Sequence, residues 1–132
     1  MNAVVVDTDV ASFLFKGHSF GSLYRTDLGG KTLILSFMTV AELDRWAIQA
    51  RWGAKRREWL QLYVETFVLM PYDRALCSTW AGVMAGAQAN GFRIDCADAW
   101  IAATALLYHL PLVTHNRNDY LGVDGLTVIC HS

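Results

Sequence analysis

The sequence has few charged residues and no excess of either sign. Asp, Glu, Lys and Arg make up 17% of the 132 residues, and the formal net charge is −1. So small a net charge gives the molecule no overall field that would attract nucleic acid, and any such affinity must come from a local patch or from bound metal ions. Because 54% of the residues are hydrophobic, the excess must lie in a core or in an interface with a partner.

Cysteine is also scarce. Cys77, Cys96 and Cys130 are odd in number and widely spaced, with no CxxC pair and no cysteine and histidine grouping of zinc type. The pattern favours neither a disulfide framework nor a zinc site. We therefore expect a reduced protein that works in the cytoplasm.

Targeting and membrane segments are missing from the sequence. The opening MNAVVVDTDV has no basic region and carries Asp7, which is not typical of a signal peptide. The longest apolar stretch, 99–113, contains His109 and Pro111 and is shorter than the roughly 20 residues that cross a bilayer. We expect a soluble protein without membrane contact, folded as one domain over 1–132 because the length suits a single core.

Short β-branched runs alternate with stretches of helical periodicity along the chain. Glycines at 17, 29, 30, 53 and 91 separate many of these segments. The alternation predicts an α/β fold with three layers (α/β/α) and a central, mostly parallel sheet of four to five strands. The predicted strands are 3–6, 32–35, 66–70, 111–114 and 126–129, and the predicted helices are 10–16, a weaker stretch near 20–24, 39–50, 54–65, 73–89 and 97–108.

Acidic residues stand near the predicted carboxyl ends of the strands, the edge at which parallel sheets bind ligands. Asp7 directly follows the first strand, and Asp119 lies in the loop after the strand 111–114. Glu42 is expected in the first turn of the helix after the second strand. Asp98 is expected in the first turn of a helix that precedes a strand, so the pattern fixes its place less well.

Carboxylates that converge on one cleft raise each other's pKa unless a cation neutralises them. Mg²⁺ or Mn²⁺ suits oxygen ligands, and a bound ion of this kind supports hydrolysis of phosphodiesters. Each acid also has a structural interpretation, which the pattern alone leaves open. These alternatives are a capping box at Thr39 and Glu42, a weaker one at Asp95 and Asp98, a helix cap at Asp7 or Asp9, and a turn at Asp119.

Four segments, VVVDTDVAS, SFMTVAEL, DCADAWIAATAL and LVTHNRNDYLGV, occur in this order over nearly the whole chain. Together they resemble the four motifs of PIN-domain nucleases, particularly the VapC-type toxins of toxin–antitoxin pairs. The resemblance implies Mg²⁺- or Mn²⁺-dependent cleavage of single-stranded or looped RNA by an activated water. It also implies a homodimer and a small antitoxin partner. The residues that it implies as catalytic and as metal ligands are Asp7, Glu42, Asp98 and Asp119.

The same resemblance suggests a second tier of site residues, Asp9, Thr114 and Asn116. Asp95 lies one helical turn before Asp98 and could join the site, although a helix cap is the favoured interpretation. Candidates for contact with RNA are Arg93, Arg117, Lys55 and Arg56, of which the last two more often belong to a solvated helix face.

The tryptophans are expected to pack rather than to stack on bases. Trp59 and Trp100 stand at helical spacing among apolar residues, which favours a core or interface position for both. Trp52, beside Arg51 and Gly53, is expected to be the most exposed.

Two other functions remain open at this stage. One is a catalytically silent PIN-like module that binds RNA or protein. The other is a phosphatase of the DxD type, because Asp7-Thr8-Asp9 follows a strand, although the lysine and acidic pair that such enzymes need later in the chain are not evident.

Overall fold

A computed structural model describes residues 2–132. Within this range the strands form one sheet in the order β3-β2-β1-β4-β5, and every neighbouring pair is parallel. The central strand β1 pairs with β2 on one side and β4 on the other, so the chain reverses its direction of winding at β1. The strands are β1 (Ala3–Val6), β2 (Thr32–Ser36), β3 (Val68–Met70), β4 (Leu112–Val113) and β5 (Val128–Ile129).

Helices cover both faces of the sheet. Alternate residues of β1 point to opposite sides: Val5 joins a core with α6 and α7, whereas Val4 and Val6 join a core with α1, α4 and α5. The predicted three-layer α/β/α fold with a parallel sheet is thereby confirmed. The helices are α1 (Thr8–Lys16), α2 (Ser19–Ser22), α3 (Arg25–Leu28), α4 (Phe37–Gln49), α5 (Ala54–Glu65), α6 (Arg74–Ala89) and α7 (Cys96–Leu107), and a short 3₁₀ helix covers Arg117–Tyr120.

Helix α4 begins two residues earlier than predicted. Ser36 at the end of β2 is its cap, since the Ser36 hydroxyl accepts a hydrogen bond of 3.1 Å from the Met38 N–H. Glu42 therefore lies in the second turn, and the capping box proposed for Thr39 and Glu42 is wrong. Both side chains are left to interact with other elements.

The core position for Trp59 and the exposed position for Trp52 are wrong, whereas an interface position for Trp59 stays a prediction. Trp59 is 56% exposed, because α5 turns Leu60 into the core and Trp59 lies about 100° away around the helix. Trp52 is half-buried and stacks on Phe15 with ring centroids 5.6 Å apart. Trp100 stacks on Trp80 and packs against the core of α6 and α7, as predicted.

Cys77, Cys96 and Cys130 are free thiols. Among residues 2–132, no helix has the length and apolar character needed to cross a bilayer.

Candidate active site

Asp7 occupies the first position after β1 and is the most buried of the predicted site acids, with 5% of its surface exposed. Its Oδ1 accepts a hydrogen bond of 2.7 Å from the Thr8 N–H. Its Oδ2 accepts two more at 2.8 Å, from the hydroxyls of Thr114 and Tyr120. Asp7 is thus both the cap of α1 and the centre of a hydrogen-bond network, so its two interpretations are compatible.

Tyr120 connects Asp7 to Asp98. Its hydroxyl donates to Asp7 Oδ2 and lies 3.4 Å from Asp98 Oδ1, on the first turn of α7. The ring is 3% exposed, and burial raises the pKa of Tyr120 above its ordinary value, so the hydroxyl keeps its proton. Tyr120 is not among the site residues predicted from the sequence, although its position directly after Asp119 in the fourth motif is a signal that points to it.

Glu42 is brought to the same edge by α4. Its Oε1 accepts a hydrogen bond of 2.7 Å from the Thr8 hydroxyl, which lies 3.0 Å from the Thr39 hydroxyl. Thr8 at the start of α1 therefore fixes Glu42 across the gap between the two helices.

Asp9 and Thr114 join the site as predicted in the second tier. The Asp9 carboxylate accepts hydrogen bonds from the Val10 N–H at 2.6 Å and the His115 N–H at 3.0 Å. The Thr114 hydroxyl, which donates to Asp7, accepts from the Asn116 N–H at 3.1 Å. Asn116 contributes its backbone N–H to this network, and the residue is exposed to solvent.

The acids raise one another's pKa. Burial raises the pKa of Asp7 to about 7, with a further contribution from the charge of Asp9. Burial also raises the pKa of Asp98 to about 7, assisted by the charges of Asp119, Asp95 and Glu42. The pKa of Asp9 is likewise raised, mainly by burial.

Asp119 and Asp95 complete the cluster. Asp119 is exposed on the 3₁₀ helix, and partial burial followed by the charge of Asp95 raises its pKa. Asp95 stands at the cap position of α7, but its side chain makes no capping hydrogen bond. The predicted cap position of Asp95 is therefore confirmed but its capping hydrogen bond is not made, and its charge contributes to the raised pKa values of Asp98 and Asp119.

Within residues 2–132, no Lys or Arg side chain forms an ion pair with this negative charge. In the described part of the chain, the pair of oppositely charged side chains that approach within 4.0 Å is His131 and Asp27, 2.6 Å apart. None of the clustered acids is paired with Lys or Arg. We name Asp7, Asp9, Glu42, Asp95, Asp98 and Asp119 the acidic cluster.

The donor set of the acidic cluster fits a hard divalent cation. Carboxylate oxygens are the ligands that Mg²⁺ and Mn²⁺ prefer, and a cation would offset the repulsion that raises these pKa values. Among residues 2–132, no three His, Cys, Asp or Glu side chains are placed so that they could hold one metal ion together. Mg²⁺ does not need three such side chains, because it usually binds through one or two carboxylates and keeps several waters.

The predicted RNA contacts lie outside the hydrogen-bond network of the cluster. Arg93 is exposed in the loop before α7, and Arg117 is exposed with Nη2 3.5 Å from the Val128 carbonyl oxygen. Lys55 and Arg56 are on the first turn of α5, where their cations stand over Trp59 at 5.5 Å and Trp52 at 4.1 Å.

Comparison with known proteins adds a family and a set of neighbours. The model of the PIN domain family matches residues 4–124. The chain is 33% identical to the VapC ribonuclease Y4jK of Sinorhizobium fredii over 96% of this chain and 95% of that protein. In fold it is similar to VapBC2 from Rickettsia felis bound to a promoter DNA fragment, with a TM-score of 0.86, 15% identity and coverage of 98% and 99%. It is also similar to a toxin–antitoxin complex from Klebsiella pneumoniae, with a TM-score of 0.77, 21% identity and coverage of 96% and 95%.

Proposed function

Because this chain belongs to the PIN-domain family, and within it to the VapC ribonucleases, we propose that it is a metal-dependent endonuclease that hydrolyses RNA. The observation that supports the metal dependence is the acidic cluster, in which no carboxylate forms an ion pair with Lys or Arg within residues 2–132 and the pKa values of Asp7 and Asp98 are raised to about 7. Membership of this family leaves the phosphatase alternative without support.

Some side chains of the site serve as metal ligands, and others fix the orientation of those ligands. Asp7, Asp98, Asp119 and Glu42 would hold Mg²⁺ or Mn²⁺, which would supply a Lewis acid and a metal-activated water for phosphodiester hydrolysis. The hydroxyls of Thr114 and Tyr120 keep the Asp7 carboxylate in one orientation.

Glu42 is held in place from one side. Its Oε1 accepts a hydrogen bond from the Thr8 hydroxyl, which fixes the carboxylate at the cleft, where it could accept a proton from the attacking water. No nucleophilic side chain is needed for this reaction.

Substitution of the central acids tests the proposal. Asp7→Asn and Asp98→Asn remove a ligand charge at nearly constant volume, and each should lower Mn²⁺-dependent cleavage of a labelled RNA by at least about 100-fold. Asp44→Asn, on the exposed face of α4, is the matched control and should cleave like the parent. Undiminished cleavage by both site variants would contradict the assignment of the site.

A catalytically silent module makes the opposite prediction. If the acids bound no metal, neither Mg²⁺ nor Mn²⁺ would raise the melting temperature, and the parent chain would not cleave RNA in either metal. Thermal denaturation with each metal and with EDTA separates the two functions before any variant is made.

The toxin role, the cytoplasm as the site of action and the partners complete the proposal. Its support is that solved relatives of the same fold are toxin–antitoxin complexes, and that large apolar side chains such as Ile48, Trp59 and Leu62 are exposed on α4 and α5. We expect a small antitoxin that inhibits cleavage and a homodimer of the free chain. Co-expression with the neighbouring reading frame and light scattering of the purified chain test these two expectations.

A further inference from the structure

A cleft of about 320 Å³ opens between α1 and α4 beside the acidic cluster. Asp9 and Glu42 of the cluster line one part of it, and Lys16 and Trp46 line another. This volume lies near the lower end of the range, about 300–1,000 Å³, in which proteins bind small ligands. The cleft is therefore continuous with the proposed active site and large enough to accept part of its substrate.

Lys16 places a cation over an aromatic face in this cleft. It is in the last turn of α1, and its Nζ lies 5.5 Å from the centroid of the Trp46 ring. Trp46 follows Glu42 by one turn of α4, so the ring stands next to the proposed catalytic carboxylate along the helix. Lys16 forms no ion pair within residues 2–132, although two carboxylates line the same cleft.

A structural role for Lys16 is the alternative. A lysine in the last turn stabilises a helix through its dipole, usually by less than about 1 kcal/mol. The end of α1 is already closed by Gly17, whose N–H bonds the Leu14 carbonyl at 3.3 Å in a left-handed conformation of φ 68°. Lys16 Nζ also lies 5.8 Å from the Phe13 centroid, so contacts with two aromatic rings hold the ammonium at the cleft. Its charge has no carboxylate partner within 4.0 Å in residues 2–132 and can still meet a phosphate.

Cations and aromatic rings continue to alternate away from the acids. The rings of Trp46 and Trp52 meet edge to face at 4.5 Å, and the Arg56 guanidinium lies 4.1 Å from the Trp52 centroid. Interleaved cations and aromatic faces are the chemistry that binds single-stranded nucleic acid, whose bases are free to stack. A duplex keeps its bases stacked inside the helix and could not use these rings.

We propose that this cleft holds the nucleotide next to the scissile phosphate of a single-stranded RNA, with its base against Trp46 and a phosphate at Lys16. The strand then leaves the site toward Arg56. This inference rests on the proposed ribonuclease function and adds to it the side chains that contact the nucleotide beside the scissile phosphate.

Binding to a fluorescent ten-nucleotide single-stranded RNA in EDTA, followed by anisotropy over a range of KCl concentrations, tests the inference without turnover. Lys16→Met removes the charge and keeps the chain length, so the slope of log affinity against log salt should fall in magnitude by about 0.7, the value for one phosphate contact. Lys31→Met is the matched control, because Lys31 precedes β2 at the opposite edge of the sheet. It should leave the slope unchanged.

Trp46→Leu tests the stacking contact and should weaken binding by about 5- to 150-fold, as loss of one base stack does. Trp59→Leu, an exposed tryptophan outside the cleft, is the control. A fully paired RNA duplex of the same length should bind the parent chain more weakly than the single strand. Equal binding of both RNAs, or no binding of either, overturns the inference, as does an unchanged salt slope for Lys16→Met.

Cleavage kinetics separate this inference from the function on which it rests. Lys16→Met should raise KM with little change in kcat, since the contact forms before and during the reaction alike. A parent chain that binds single strands as described but cleaves none would contradict the ribonuclease function alone. Active cleavage with the same KM and salt dependence in Lys16→Met and the parent would contradict the cleft assignment alone.

Discussion

Tyr120 is the residue that connects Asp7 and Asp98, two of the proposed metal ligands, through one hydroxyl group. Its hydroxyl bonds Asp7 at 2.8 Å and lies 3.4 Å from Asp98, and the ring is buried beneath both. Side chains that orient metal ligands commonly account for 10- to 100-fold in metal affinity. Tyr120 is therefore a positioning residue, which acts on the metal through Asp7 and Asp98.

Replacement of Tyr120 by Phe should weaken Mn²⁺ binding by about tenfold in calorimetry, because Asp7 loses one of its two hydroxyl donors while the ring remains in the core. The variant should stay folded, and the pKa of Asp7 should rise further, as a carboxylate with fewer hydrogen bonds ionises less readily. Tyr72→Phe, at a tyrosine that is 68% exposed, is the control. Equal Mn²⁺ affinity in Tyr120→Phe and the parent would show that the phenol does not position the ligands.

The residues of the site differ in how far the sequence could predict them. Asp7 and Asp119 follow strands, so their place at the carboxyl edge comes from local pattern, and the motif resemblance adds Asp98. Tyr120 could not be selected in the same way, because an aromatic residue after a turn usually serves the core and the direction of its hydroxyl depends on tertiary packing. Asp95 was assigned to a cap for a similar reason, since local pattern cannot tell an unused cap position from a used one.

Among the elements, the 3₁₀ helix that carries Asp119 depends on a close approach at Gly122. A Cβ at this position would lie 2.7 Å from the Phe92 Cβ and 3.2 Å from Ala87, at the end of α6. The chain after Asp119 can lie against α6 only because residue 122 has no side chain. Because this contact is so close, a change in the packing at the end of α6 should also move Asp119.

Gly122→Ala should therefore lower the free energy of unfolding by about 1–3 kcal/mol, the usual effect of an added methyl group in a filled space. It should also lower cleavage activity, because the loop must shift and carry Asp119 with it. Gly82→Ala, in the middle of α6 with no atom within 4 Å of the new Cβ, should instead raise the free energy of unfolding by about 0.5–1 kcal/mol. Urea denaturation of the two variants checks the contrast, and a stable Gly122→Ala chain would contradict the close approach.

Elements were predicted best where capping and periodicity agree. Helix α5 has the predicted bounds, and α6 begins after Asp73, whose carboxylate accepts the Leu76 N–H at 2.8 Å. The start of α4 was missed, because Ser36 ends a strand and caps a helix at once. The weak stretch near 20–24 became the separate short helices α2 and α3, which are too short to show a helical period.

In the whole molecule, the net charge is small although the carboxyl edge of the sheet is strongly acidic. The resemblance based on four segments is confirmed by the PIN family match over residues 4–124. Neither composition nor net charge, however, indicates where in the fold the acidic residues come together. The parallel sheet gathers them, because β1 and β4 end side by side and the helices that follow β1 and β2 start at the same edge. The stability of the molecule should consequently depend on pH and on metal together.

The pKa values of Asp7 and Asp98, raised from 3.8 to about 7, determine the sign of that dependence. Between pH of about 4 and 7 the folded chain holds protons on these acids that the unfolded chain has released, so this contribution lowers the free energy of unfolding as pH rises through the window. In EDTA the melting temperature of Asp98→Asn should therefore fall less from pH 5 to pH 8 than that of the parent.

Mg²⁺ should reverse this trend in the parent chain. The metal binds the ionised carboxylates, so the rise in melting temperature that it causes should be small near pH 5 and should grow as Asp7 and Asp98 lose their protons near pH 7. Binding should release protons, which calorimetry in buffers of different ionisation enthalpy can count. A Mg²⁺-induced rise of the same size at pH 5 and pH 8 would contradict this linkage, since it would place the metal at groups that do not titrate between these values.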